Sequence, residues 1–121
     1  LDILVVDDTE ENLFVMQAFL KTEPHNVDIA ENGQEALEMM KTENYDLVFM
    51  DMQMPVMDGY TASKNFRSWE NEQEKEPNII IALSAYAMKD DIKQAMEAGC
   101  DLHLSKPINK QCLLDTIARC S

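Results

Sequence analysis

Short runs of apolar and β-branched residues recur along the chain at positions 2–6 (DILVV), 27–30 (VDIA), 47–50 (LVFM), 79–83 (IIIAL) and 102–104 (LHL). Such runs, bounded by polar and turn-forming residues, predict five β-strands. Between and after them the apolar positions fall at helical spacing, which predicts helices over 9–21, 34–42, 60–69, 89–98 and 110–119. Gly33 and Gly99 punctuate the joints, and Asn109 is placed to cap the last helix. Five βα units of this length predict a parallel sheet with helices on both faces, because the crossover between parallel strands is almost always right-handed. The expected class is α/β, a doubly wound three-layer (βα)5 sandwich. No internal repeat is visible. The biased stretch WENEQEKEP at 69–77 reads as a solvated helix end and loop whose charge needs no functional explanation.

Composition narrows the partners. A chain of 121 residues, 45% hydrophobic, fits one domain over 1–121 with a core that needs no disulfide or metal staple. The net charge of −13 repels phosphate backbones and anionic bilayers, so neither nucleic acid nor a membrane surface is an expected direct partner. Cys100, Cys112 and Cys120 are odd in number and lack CxxC spacing, which argues against a disulfide framework or a zinc site. They are expected to be buried small apolar groups in a reducing, cytoplasmic compartment. The apolar runs are far too short to span a bilayer, and no basic-then-apolar leader precedes them. Leu1 in place of an initiator Met makes a segment of a longer protein the expectation.

The polar residues that close the strands carry the chemistry. Asp7 and Asp8 follow the first strand, Asp51 the third, Ser84 the fourth and Lys106 the fifth, all at carboxyl ends. Open α/β sheets bind ligands outside those ends, where the strand order reverses; in the common 2-1-3-4-5 order that point lies between strands one and three. Asp7, Asp8 and Asp51 would meet there. An ionised carboxylate is expensive to bury without a partner. Two carboxylates about 4 Å apart repel by roughly 4 kcal/mol at an effective dielectric of about 20, so three call for cations. Lys106 offsets one charge, and a hard divalent ion with oxygen ligands, Mg²⁺ (or Mn²⁺), suits the rest; Ca²⁺ would want more protein oxygens. A carboxylate so placed is also a potential nucleophile toward phosphoryl donors, with Lys106 and the Ser84 hydroxyl meeting the developing charge. These considerations do not choose between Asp51 and Asp8 as that nucleophile.

The acidic pair Asp7-Asp8, the segment DMQMPVMDG at 51–59, LSA at 83–85 and SKP at 105–107 together resemble the receiver domain of two-component response regulators, from the first strand to the last helix. The resemblance implies a flavodoxin-like fold and a phosphorylation switch. Asp51 becomes the phosphoacceptor; Asp7 or Asp8, with Asp51 and the Gln53 backbone carbonyl, becomes the metal holder. Ser84 becomes the switch hydroxyl, and Lys106 the contact to the phosphoryl group. Gly59 and Pro107 take structural positions, Pro107 following a cis peptide as in relatives. The implied partner is a histidine kinase or histidine phosphotransfer domain, and the wording of DMQMPVMDGYTA and GCDLHLSKPI most resembles receivers of hybrid sensor kinases.

Two features depart from the commonest pattern. His103 stands where relatives often carry the Tyr or Phe that swings as the switch hydroxyl moves; it reads equally as a half-exposed strand histidine, and its titration near neutrality would make switching pH-sensitive. The acidic extension at 70–76 is expected to spare the site. On the first helix Leu13, Met16, Phe19 and Leu20 share a face while Phe14 points away, which leaves a large apolar side chain in water. Relatives present this helix to the phosphodonor, so Phe14 is a partner-surface candidate.

Plainer roles suit other residues: Asp58 as a turn or cap, His25 in a surface loop, and Met50, Met52, Met54 and Met57 in packing. A haloacid dehalogenase-type phosphatase is a rival, but it would need an acid at position 53, where Gln53 stands. An FMN binder would need a phosphate cradle where DDTEEN repels one. A degenerate receiver acting only as a binding module is the third alternative.

Overall fold

The computed structural model describes residues 1–22, 24–85 and 88–120. Five βα units follow one another: β1 (Asp2–Val6), α1 (Glu10–Leu20), β2 (Asn26–Ala30), α2 (Gly33–Thr42), β3 (Leu47–Asp51), α3 (Gly59–Glu72), β4 (Ile79–Ser84), α4 (Lys89–Glu97), β5 (Leu102–Ser105) and α5 (Lys110–Cys120). The strands form one parallel sheet in the order β2-β1-β3-β4-β5. Successive side chains of a strand point to opposite faces, so a central strand covered on both sides must be apolar throughout. Leu4, Val6, Val48, Met50, Ile80 and Ala82 pack on one side against Ala36, Leu37 and Met40 of α2, Ala62 and Phe66 of α3 and Ala95 of α4. Ile3, Val5, Leu47, Phe49, Ile81 and Leu83 pack on the other against Leu13, Met16 and Leu20 of α1 and Leu113 and Ile117 of α5. Each large side chain so buried contributes about 1.5–3 kcal/mol.

Local signals set the helix ends. The side chains of Asn32 and Asp58 accept hydrogen bonds from the Glu35 and Thr61 N–H groups at 2.9 and 2.8 Å, and Asn109 accepts from Cys112 N–H at 2.7 Å. Gly99 follows α4 at φ +105°, a conformation that strains any residue with a Cβ. Among the described residues no helix is long and apolar enough to cross a membrane.

Two expectations need correction. The stretch from Trp69 to Pro77 is not merely solvated: α3 continues to Glu72, and Glu70 is only 4% exposed. Its Oε1 accepts from Arg67 Nη1 at 2.8 Å and its Oε2 from the Asn78 N–H at 2.6 Å. Arg67 also donates from Nε to the Gly99 carbonyl and from Nη2 to Asp101 Oδ2, each at 2.9 Å, and the same Asp101 oxygen accepts from Ile80 N–H. This clamp joins the end of α3 to the starts of β4 and β5. Glu70 lies on the inner face because it follows the buried Ser63 and Phe66 at helical spacing. Of the cysteines, only Cys100 is buried; Cys112 and Cys120 are half-buried, since α5 turns them partly outward. His25 lies in the loop before β2, as expected, and is half-buried there with Nδ1 3.3 Å from the Leu1 amino group.

Glu70→Ala should cost about 2–4 kcal/mol, because it orphans the Asn78 N–H and removes one partner of a partly buried guanidinium. Urea unfolding measures this; a change below about 0.5 kcal/mol, the range of an ordinary surface substitution, would show the carboxylate to be dispensable.

Candidate functional site

The 2-1-3 order sets the carboxyl ends of β1 and β3 side by side, and both end in acid. Asp7, just past β1, is 1% exposed, and Asp51, the last residue of β3, is 3% exposed, while Asp8 faces solvent. Carboxylate oxygens of all three lie within 4.8 Å of one another. Lys106, carried in from beyond β5, places Nζ 2.9 Å from Asp7 Oδ2 and 2.9 Å from Asp51 Oδ2. The remaining oxygens of the buried pair are met locally: Asp7 Oδ1 accepts from Thr9 N–H at 2.9 Å, and Asp51 Oδ1 from Gln53 N–H at 3.1 Å. Asn12 adds a side-chain donor that no sequence motif singles out, Nδ2 lying 3.4 Å from Asp7 Oδ2.

Burial lifts the Asp51 carboxyl above its ordinary range, against the opposing pull of Lys106 and the Gln53 N–H. Burial alone would lower Lys106, but its hydrogen bonds to Asp51 and Asp7 outweigh that and hold the ammonium above its ordinary value. One lysine facing three carboxylates leaves the cluster short of positive charge. A compact set of carboxylate oxygens with one exposed member fits a hard divalent cation that keeps several waters, so these residues suit Mg²⁺.

The neighbouring positions are set by the same strands. Gly59 opens α3 directly beneath Asp51: a Cβ there would lie 2.3 Å from the Asp51 carbonyl oxygen, and the Gly59 N–H donates to the Met52 carbonyl at 3.1 Å. Only glycine lets the helix start this close to the strand. Met50 and Met52 are buried and Met54 and Met57 pack against the same core, as expected of packing residues. Ser84 is buried at the end of β4, and its carbonyl accepts from Lys106 N–H at 2.8 Å. The Lys106–Pro107 peptide is cis. His103 pairs in register with Ala82 and is half-buried. Leu102 and Leu104 pack toward α1 and α5, so the alternation of β5 turns His103 toward the α4 side. Its Nε2 is buried and has no hydrogen-bond partner among the described residues. Burial lowers its pKa, opposed by the charge of Asp91 on α4.

Beside Lys106 a cavity of about 150 Å³ opens between α1 and the Pro107 turn, walled by Val15, Met16, Leu83, Pro107 and Ile108. Phe14 is 72% exposed, on the opposite side of α1 from the buried Leu13, Met16 and Leu20.

Residues 3–118 match the family model of the response regulator receiver domain. The chain is 41% identical over 124 residues to hybrid signal transduction histidine kinase G of Dictyostelium discoideum, an alignment covering 98% of this chain and 4% of that protein. It resembles a chain in the co-crystal structure of the Saccharomyces cerevisiae histidine phosphotransfer protein Ypd1 and the receiver domain of Ssk1, with TM-score 0.94 and 33% identity over 98% of this chain and 86% of that one. The receiver domain of sensor histidine kinase PA1611 from Pseudomonas aeruginosa, solved with magnesium in its active-site cleft, gives TM-score 0.86 and 32% identity over 98% and 94% of the two chains.

The depressed His103 pKa has a defined sign in stability. The unfolded chain protonates this imidazole at about pH 6.5, the folded chain only at lower pH, so the stability of the neutral form is present above pH 6.5 and is lost as pH falls through the folded value. His103→Phe should therefore show a shallower loss of unfolding free energy between about pH 7.5 and about pH 5 than the unsubstituted protein. Parallel pH profiles in urea titrations would remove His103 from the acid sensitivity.

Proposed function

The chain belongs to the response regulator receiver family, and from that membership we propose that Asp51 accepts a phosphoryl group from a phosphohistidine and so works a conformational switch. The observation that carries this reading is Lys106 Nζ held at 2.9 Å from both Asp51 and Asp7, beside an acidic cluster open on the Asp8 side. An Asp51 carboxylate oxygen attacks the phosphorus, the P–N bond to the donor imidazole breaks, and the imidazole leaves neutral after taking or keeping its proton. The product is an acyl phosphate on Asp51. Asp7, Asp8, Asp51 and the Gln53 backbone carbonyl would hold Mg²⁺ (or Mn²⁺), which when bound would supply the neutralisation that lets phosphoryl oxygens approach three carboxylates. Lys106 moves its ammonium onto those oxygens, and the Ser84 hydroxyl donates to one of them. The acyl phosphate carries a charge of about −2 in place of the single charge of the carboxylate, and it favours a conformation in which the ends of β4 and β5 are rearranged, with His103 repacking behind Ser84. Water attacking phosphorus later releases inorganic phosphate and restores the carboxylate. Gln53 is exposed and carries an amide where a dehalogenase-type phosphatase would need its acid.

The donor in this reading is a histidine kinase or histidine phosphotransfer domain. The likeness to the Ypd1–Ssk1 complex supports it, as does Phe14, a large apolar side chain left in solvent on α1. The receiver would sit in the cytoplasmic part of a hybrid sensor kinase, in keeping with the small share of the curated kinase it covers.

Incubation with acetyl phosphate and Mg²⁺ should add one phosphoryl group by intact-protein mass, and both EDTA and Asp51→Asn should abolish the gain. No gain in folded protein would leave a binding module without phosphoacceptor activity. Because Phe14 is largely in solvent, Phe14→Ala should leave uptake from acetyl phosphate unchanged and slow transfer from a phosphohistidine protein donor by about tenfold, as for a mid-strength interface residue. Equal rates with both proteins and the protein donor would place the docking surface elsewhere.

A further inference from the structure

We propose that Asn12 is a positioning residue that keeps the Asp7 carboxylate in its metal-holding orientation when Lys106 leaves it for the phosphoryl group. The proposal rests on the phosphoacceptor reading above. Asp7 is almost wholly buried, and its two oxygens are fully spoken for: Oδ1 accepts from the Thr9 N–H, and Oδ2 accepts from Lys106 Nζ at 2.9 Å and from Asn12 Nδ2 at 3.4 Å. Lys106 is shared between Asp7 and Asp51, so an ammonium drawn onto a phosphoryl group at Asp51 is withdrawn from Asp7. A buried carboxylate oxygen left without a donor is costly, and a carboxylate free to rotate is a poor ligand. Asn12 is the other side-chain donor on that oxygen. It stands in the first turn of α1, half-buried on the wall of the cavity beside Lys106, five residues after Asp7.

The residue type suits the task. A lysine or arginine at position 12 would bring a second fixed cation to compete with the metal for Asp7. An acid would add a fourth carboxylate to three that already lie within 4.8 Å. A short neutral amide donates without changing the charge, and its contact of 3.4 Å leaves room to shorten as the stronger donor departs.

The test uses Mg²⁺ alone, titrated calorimetrically into four unphosphorylated proteins: unsubstituted, Asn12→Ala, Lys106→Met and the double variant. Lys106→Met mimics the departure of the ammonium from Asp7. Asn12→Ala should weaken Mg²⁺ binding severalfold in the unsubstituted background and by tenfold or more in the Lys106→Met background, the scale seen for outer-shell partners of metal ligands. In phosphorylation by acetyl phosphate, Asn12→Ala should raise the Mg²⁺ concentration needed for half-maximal rate more than it lowers the rate at saturating Mg²⁺. A merely structural role would shift the urea midpoint without producing this coupling. Where Asn12→Ala does not fold, Asn12→Leu keeps the volume and loses the donor. An Asn12 effect that is absent, or no larger in the Lys106→Met background, overturns the proposal alone. Failure of the unsubstituted protein to bind Mg²⁺ or to take up phosphoryl overturns the phosphoacceptor reading, and this proposal with it.

Discussion

One ammonium group held between two buried carboxylates is the constraint on which the rest of the structure turns. Asp7 and Asp51 end adjacent parallel strands, and without Lys106 their charges would face each other in a place from which water is largely removed. At an effective dielectric of about 20, each such contact is worth several kcal/mol of attraction or repulsion. The fold meets this by bringing a residue from beyond the fifth strand back across the sheet, with the Ser84 carbonyl fixing the Lys106 main chain. The lysine therefore serves both as counterion and as part of the strand geometry. A group that can leave one carboxylate for another ligand is also what a charge-driven switch requires.

The surroundings are built to keep that charge cluster in place. Gly59 brings the start of α3 against the last residue of β3, and the N–H groups of Gln53 and Thr9 fix one oxygen each of Asp51 and Asp7. These are short-range contacts within the loops that follow β1 and β3. Their rigidity costs little, because both strands are anchored by apolar side chains on each face. The less constrained groups lie on the other flank, where His103 carries a buried nitrogen with no hydrogen-bond partner among the described residues and β5 is only four residues long.

Much of this was legible in the sequence for a simple reason. A strand buried on both faces reads as an unbroken apolar run, so residues such as Asp51, Ser84 and Lys106 stand out as interruptions at the strand ends. The parallel sheet with helices on both faces followed from the βα alternation and the handedness of the crossover, whereas the 2-1-3-4-5 order rested on its being a common one and on the resemblance to receiver domains. Glu70 was obscured by its neighbours: amid so many charges its place on the buried stripe of α3 does not stand out, and its partners Asn78 and Arg67 only converge once the chain has folded. Asn12 gave no signal because its role depends on α1 beginning at a particular angle beside Asp7. Which way His103 faces depended on the alternation of a strand too short to declare its period.

The Arg67–Glu70–Asp101 clamp lies at the opposite end of β4 from Ser84, since Ile80 N–H is bound to Asp101 near the start of the strand. The edge of the sheet is thus pinned at its base to α3 by charged side chains, while its tip is tied through Lys106 to the acidic cluster. A push delivered at Ser84 cannot be absorbed by sliding the strand along its axis, because the base does not yield. In the proposed switch it would appear as lateral deflection of the tips of β4 and β5, so that a three-residue clamp remote from the phosphoryl chemistry would set the direction of movement.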